Sequence, residues 1–200
     1  MELQERVREF THQTVAAMGI TATVAIVDTP DNIRVEISGE GSDVLLRKRA
    51  EALVQGQKSL LEMIATGMPL AATLDALVRF IEAQSPDMLC SILLLDADGI
   101  HIRHGAAPSL PEAFSRAIDG QPIGPCAGSC GTAAFRREPV IVEDIATDPL
   151  WAEYRDLALP HGLRASWSTP IFDATRRVMG TFALYYHQPA RPPARRLEPI

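Results

Sequence analysis

The chain is poor in cysteine, with three among 200 residues, and in aromatic residues, which make up 6% of it. Cys90, Cys126 and Cys130 cannot all pair, so the disulfide framework that staples small secreted domains is excluded, and free thiols are expected. No cationic excess exists either. A formal charge of -6 argues against a binder of the nucleic-acid backbone, which needs lysine and arginine to displace phosphate counterions. Long apolar runs are also missing. Ile92-Leu93-Leu94-Leu95 is strand-length, far below the roughly 20 residues that a bilayer span requires. The opening Met-Glu-Leu-Gln-Glu-Arg lacks the character of a signal peptide. A cytoplasmic protein with no membrane partner is the expectation.

What is present is ample apolar content, 46% of residues, enough for one ordinary core and a small appendage. Leu3, Val7, Phe10, Val15 and Met18 recur at helical spacing. Residues 21–27 and 32–38 then alternate at period two around Thr29-Pro30-Asp31-Asn32, which predicts a hairpin. A helix follows Gly39-Glu40-Gly41, with Ser42 or Asp43 as its N-cap. The next unit begins with helices over 58–66 and 69–84, where Leu70, Leu74, Leu77, Val78 and Ile81 form a stripe that packs on a sheet or on a second copy. A hairpin over 88–96 and 100–105 turns at Asp96-Ala97-Asp98-Gly99. Helices near 111–118 and 129–137 flank a Gly-rich loop. Strand 139–142, a helix near 151–159 and closing strands 165–171 and 178–187 complete an α+β pattern, an antiparallel sheet with helices and long loops over one face. Residues 188–200 hold four prolines and three arginines and read as a loose tail. The domains expected are therefore 1–56, 57–187 and the tail 188–200.

The chemistry gathers in two places. Glycines precede a helix start in Gly128-Ser129-Cys130-Gly131-Thr132, where unpaired backbone amides can receive an anion or a polar ligand group. Downstream, Asp144, Asp148, Trp151 and Tyr154 supply polar groups and aromatic faces that could close over a ligand on the sheet. A loop-packing tryptophan with capping aspartates is the competing reading. Alternation puts Ser166 and Ser168 on one strand face and Trp167 and Thr169 on the other. One face floors the pocket, and Trp167 is included among the candidate ligand contacts. No metal site is expected, because a Cys126-x-x-x-Cys130 pair lacks further ligands and His101 and His104 do not converge. His161 is expected to shape the turn at His161-Gly162, with service as a haem axial ligand as the alternative.

The block running from Ile123 through Cys130-Gly131-Thr132 to Ala134, with Pro139-Val-Ile-Val-Glu-Asp through Trp151, His161-Gly-Leu-Arg through Ile171 and Val178-Met-Gly-Thr through Tyr185, resembles the GAF domains of bacterial signalling proteins. The resemblance spans residues 57–187. It implies a sensory module that binds an unidentified small molecule and acts as a homodimer or on a separate signalling output protein, since the chain is expected to carry no output domain. Such pockets accept cyclic nucleotides, small acids, tetrapyrroles or nothing, so no cofactor is named. Residues 32–53 resemble the KH-like module of the Jag family of RNA-binding proteins, which implies an α-β-β-α segment over 1–56. The Gly-x-x-Gly loop of that family is replaced by Arg47-Lys48-Arg49-Ala50, and RNA is not expected as a partner.

Cys130 also stands where the GAF-fold reductases of free methionine sulfoxide carry a cysteine, and a thiol near a helix start is activated. Those enzymes use further cysteines in the later loop, whereas residues 131–200 contain none. No catalytic residue is therefore assigned. Purified protein is expected to show no thiol-dependent reduction of free methionine sulfoxide; turnover that disappears in Cys130→Ala would overturn this.

Overall fold

Residues 23–29, 32–38, 42–85 and 87–192 are described by the structure, a computed structural model. The chain divides into two compact units, Met1–Leu61 and Glu62–Ile200.

In the first unit, β1 (Thr23–Thr29) and β2 (Asn32–Ser38) pair antiparallel from Thr23↔Ser38 to Thr29↔Asn32, so only Pro30 and Asp31 lie between the strands. Helix α1 (Ser42–Ala65) follows, and the unit boundary falls within it. The four residues Arg47-Lys48-Arg49-Ala50 lie within this helix, with Arg47 ion-paired to Glu51 at 3.6 Å. They are therefore a helical turn and not an open loop of the Gly-x-x-Gly kind. The helix expected over residues 3–18 lies outside the described residues.

The second unit is built on one sheet of order β4-β3-β7-β6-β5. Its strands are β3 (Met88–Leu95), β4 (Ile102–Ala106), β5 (Val140–Val142), β6 (Ala165–Phe172) and β7 (Val178–Tyr186), and all pairings are antiparallel. Leucine dominates β3, and β7 combines Val178, Thr181 and Leu184 with Phe182, Tyr185 and Tyr186; both strands occupy interior positions and are screened on both faces. One face is covered by α2 (Leu70–Glu82). Leu74, Leu77, Val78 and Ile81 from its stripe meet Cys90, Ile92, Phe182 and Leu184, whereas Leu70 is 60% exposed. The other face carries α3 (Glu112–Ile118), α4 (Gly128–Arg136) and the irregular segment 143–163. That segment contains a 3₁₀ turn (Pro149–Trp151), α5 (Arg155–Ala158) and a second 3₁₀ turn (Leu159–His161). Helical cover thus lies on both faces, not one. The single helix expected near 151–159 is instead divided into these short turns, with Pro149 opening the first and Pro160 inside the last.

The start of the expected tail is tied down as far as residue 192. Trp167 Nε1 donates to the Ala190 carbonyl at 3.1 Å, the Ala190 N–H donates to the Glu143 carbonyl at 3.0 Å, and Arg191 pairs with Glu143 at 3.1 Å. Proline prevents helix there but leaves the carbonyls free to accept. At the opposite side, the outer N–H groups of edge strand β4 are also engaged. Ile102 N–H donates to the Gln121 carbonyl at 3.0 Å and His104 N–H to Asp119 Oδ1 at 2.8 Å.

The tightest constraint on the sheet is at Gly180, opposite Leu94. A Cβ there would lie 2.2 Å from the Leu93 carbonyl oxygen and 3.1 Å from Leu94 Cα, both backbone atoms with no side-chain freedom to yield. Gly180→Ala is expected to destabilise the second unit by about 3 kcal/mol or more through overpacking, read as a lowered urea midpoint; an unchanged midpoint would show that β3 and β7 separate more easily than their register implies.

Candidate functional site

Helix α4 lies close to the sheet because its inner face is made of small residues. Gly128, Ser129, Cys130, Gly131, Thr132, Ala133 and Ala134 are all buried, against Ala183 and Ser166 of the strands below. Its entry is a sharp turn: Gly128 adopts φ +60°, a left-handed conformation that side chains resist. A Cβ on it would also contact the Trp151 ring at 3.7 Å.

Between α4, α3 and the sheet is a cavity of about 30 Å³, room for about one water molecule. Its walls are apolar and aromatic, from Leu93, Ile102, Phe114, Trp151, Tyr154 and Tyr185, with Ser129, Cys130 and Gln121 as polar members. Phe114 meets Tyr185 edge-on at 5.9 Å and His161 at 6.5 Å, both favourable ring geometries.

One hydroxyl closes the site. Trp151, 4% exposed, donates its indole N–H to Ser129 Oγ at 2.9 Å, and that oxygen donates to the Ser166 carbonyl at 3.3 Å. Helix, loop and strand therefore meet at Ser129. Deeper in, the Tyr185 hydroxyl lies 3.5 Å from Cys130 Sγ and accepts from Ser91 at 3.3 Å. Burial, with the adjacent Cys130 as a second cause, holds the Tyr185 phenol well above its usual pKa, so it is a neutral donor at physiological pH.

The structure brings Gly128, Ser129, Cys130, Gly131, Trp151 and Tyr154 of the expected contacts to this one cavity. Thr132 turns away to stabilise the preceding loop, accepting the Ala127 N–H at 3.0 Å. Asp144 and Asp148 organise the loop behind Trp151. Asp148 caps the 3₁₀ turn by accepting from Leu150 N–H at 2.8 Å, and Asp144 accepts from Arg164 at 2.9 and 3.1 Å. Arg155 binds the loop from inside through the carbonyls of Asp148, at 2.9 Å, and Ile145, at 3.3 Å. Trp167 is on the opposite face of the sheet, paired with Leu184 in register and 4.6 Å from the Tyr186 ring. The serine face of β6, not the tryptophan face, therefore lies under α4. Phe114, Gln121 and Tyr185 were not among the expected contacts. Tyr185 is legible in principle, since pairing β6 with β7 places it opposite Ser166.

The thiols are separated. Cys90 lies with the α2-facing core, its pKa pushed up to about 12 by burial and by the Glu82 carboxylate. Cys126 is exposed, Cys130 is buried, and all three are free. Among the described residues, no three His, Cys, Asp or Glu side chains converge as a metal site, and no helix is long and apolar enough to cross a membrane.

The profile of the GAF domain family matches residues 69–199. The chain is 34% identical over 201 residues to the methyl sulfide methyltransferase-associated sensor of Methanosarcina acetivorans, a match covering 97% of this chain and 20% of the sensor. The chain thus spans about a fifth of the length of that curated relative. Among solved structures, a domain of a protein assigned as a two-component sensor histidine kinase from Sinorhizobium meliloti is 27% identical, with TM-score 0.50 over 63% of this chain and 78% of that one. The free methionine-R-sulfoxide reductase of Neisseria meningitidis, solved with its substrate, is 20% identical, with TM-score 0.53 over 78% of this chain and 81% of that one. At that identity the likeness is one of fold. The profile begins at residue 69 and lends nothing to the KH-like reading of residues 1–56.

Two outcomes are expected of this geometry. Trp151→Phe keeps one six-membered ring but removes the donor and the rest of the indole, lowering stability by about 1–2 kcal/mol, whereas Trp151→Ala empties the wall and lowers it by about 3–5 kcal/mol; urea midpoints separate the two. The hydrogen bonds from Arg164, then that from Ala146 N–H, hold the Asp144 carboxyl below its usual pKa. A carboxylate favoured by folding contributes fully above the unfolded value, about pH 4, and that contribution fades as pH falls through the lower folded value. The stability advantage of the parent over Asp144→Asn is therefore expected to shrink between about pH 5 and pH 3.

Proposed function

Because the chain belongs to the GAF domain family, we propose that it is the non-catalytic sensory module of a signalling system, occupied by a small molecule in the cavity beneath α4. The observation that carries this reading is the single closure at Ser129. A cavity with aromatic walls and few polar anchors is sealed by one indole hydrogen bond from a loop segment, so a ligand that displaces Trp151 would alter loop 143–163 and α4 together. In the closed form the cavity is too small for a metabolite, and binding entails an outward movement of Trp151. The sensory role of the Methanosarcina relative supports the assignment.

The absence of catalysis in this reading rests on the thiols. Nucleophilic reduction of a sulfoxide needs a second thiol to resolve the first adduct. Cys130 is itself buried against the Tyr185 hydroxyl, Cys90 lies in the core of the other sheet face, and residues 131–200 contain no cysteine, which leaves the exposed Cys126 as the one other thiol. A cytoplasmic location and action on a separate output protein belong to the same proposal, with RNA no part of it.

A second reading, a docking or dimerisation module, is favoured by exposed apolar residues: Ile64, Met68 and Leu70 are 62%, 47% and 60% exposed. Native mass spectrometry tests both. A stoichiometric small-molecule adduct that is lost in Trp151→Ala supports the sensor. A ligand-free dimer with no stabilising metabolite in a thermal-shift screen shifts the assignment to docking, and a ligand-free monomer refutes both.

A further inference from the structure

A second pocket, an open groove larger than the first cavity, runs along the edge of the sheet between β4 and α3 with a volume of about 600 Å³, within the roughly 300–1,000 Å³ of small-molecule clefts. It shares no lining residue with the cavity under α4. Its floor is apolar, from Ala107, Pro108 and Leu110.

Three polar features mark it. Ser115 lines it from the buried side, 8% exposed, and its hydroxyl has no hydrogen-bond partner; buried hydroxyls are ordinarily paired. Arg116 and Glu112 sit one helical turn apart and form an ion pair, with side chains 73% and 78% exposed. Such a surface pair is weak and readily exchanged for a ligand. Asp119 is fixed in place because its Oδ1 accepts the His104 N–H, which leaves Oδ2 for a ligand donor.

Charges of both signs therefore line one groove. A simple anion would meet Glu112 and Asp119, and a simple cation would meet Arg116. A molecule carrying both charges satisfies both sets. We infer that this groove is a second ligand site, taking a small zwitterion with a carboxylate and an ammonium group, the size of a free amino acid. The carboxylate sits on the Arg116 guanidinium, a geometry that allows paired hydrogen bonds, and receives the Ser115 hydroxyl once that side chain, buried in the free protein, turns toward the groove. The ammonium sits on Asp119 and on Glu112 once Arg116 has turned to the ligand. An aliphatic side chain covers the floor.

The test is an amide NMR titration of the full chain with L-leucine, leucinamide, which lacks the carboxylate, and N-acetyl-leucine, which lacks the ammonium. L-leucine is expected to shift amides in residues 104–119, with both derivatives at least about tenfold weaker, as loss of a charged hydrogen-bonded partner requires. Arg116→Gln is expected to weaken L-leucine about tenfold. Ser115→Ala, which removes an unpaired hydroxyl, is expected to weaken binding without lowering the melting temperature. Glu153→Gln, at an exposed position that lines neither pocket, is expected to leave L-leucine binding unchanged. The inference is overturned if none of the probes shifts residues 104–119, if a derivative binds as well as L-leucine, or if the shifts gather around Ser129 and Trp151. Success or failure of the sensor reading is decided separately, at Trp151.

Discussion

The hydroxyl of Ser129 joins three parts of the second unit by accepting the Trp151 indole N–H and donating to the Ser166 carbonyl. Everything around it follows from how near α4 must lie to make both bonds. The helix presents glycine, serine and alanine to the sheet, Gly128 takes a left-handed turn to begin it, and Ala183 lies beneath it in the same core. Bulkier side chains at these positions would lift the helix and break the bridge before they disturbed any single contact. The aspartates and Arg155 then act at one remove, shaping the loop that delivers Trp151.

The two faces of the sheet differ in kind as a result. Against α2, packing is aliphatic and aromatic, with Val78, Ile92 and Leu184 meeting over the strands. Under α4 the strand residues include Ser91, Ser166, Ser168 and Thr181, all essentially fully buried. Polar groups in such a place confer specificity on an arrangement more than strength. Tyr185, held neutral by burial, and the neighbouring Cys130 belong to this polar layer, which explains why the thiol contacts a phenol and not a second cysteine.

Much of this was legible from periodicity. The stripe on α2, the hairpin around Asp98-Gly99 and the closing strands follow from spacing alone, because local pattern determines local structure. The glycine loop and Trp151 stand out because glycines before a helix start and the aromatic pair Trp151 and Tyr154 in an acidic loop are local features of the sequence, while the capping by Asp148 matches the competing reading of that loop. Trp167 was misplaced among the contacts because alternation fixes which residues share a face without fixing which face is inside. Tyr185 reaches the cavity through the register of β6 on β7, and Arg164 meets Asp144 across 20 residues, and neither contact is marked by the local spacing of apolar residues. The segment near residue 151 shows the converse, a helical spacing realised only as short turns.

The carboxylate of Asp119 and the carbonyl of Gln121 do more than frame a groove. By accepting the outward N–H groups of His104 and Ile102, they occupy the row of donors with which an edge strand would recruit a neighbour. The sheet is thus sealed at β4 against growth by strand addition. A strand arriving at β4 would have to displace both contacts before it could pair with Ile102 or His104.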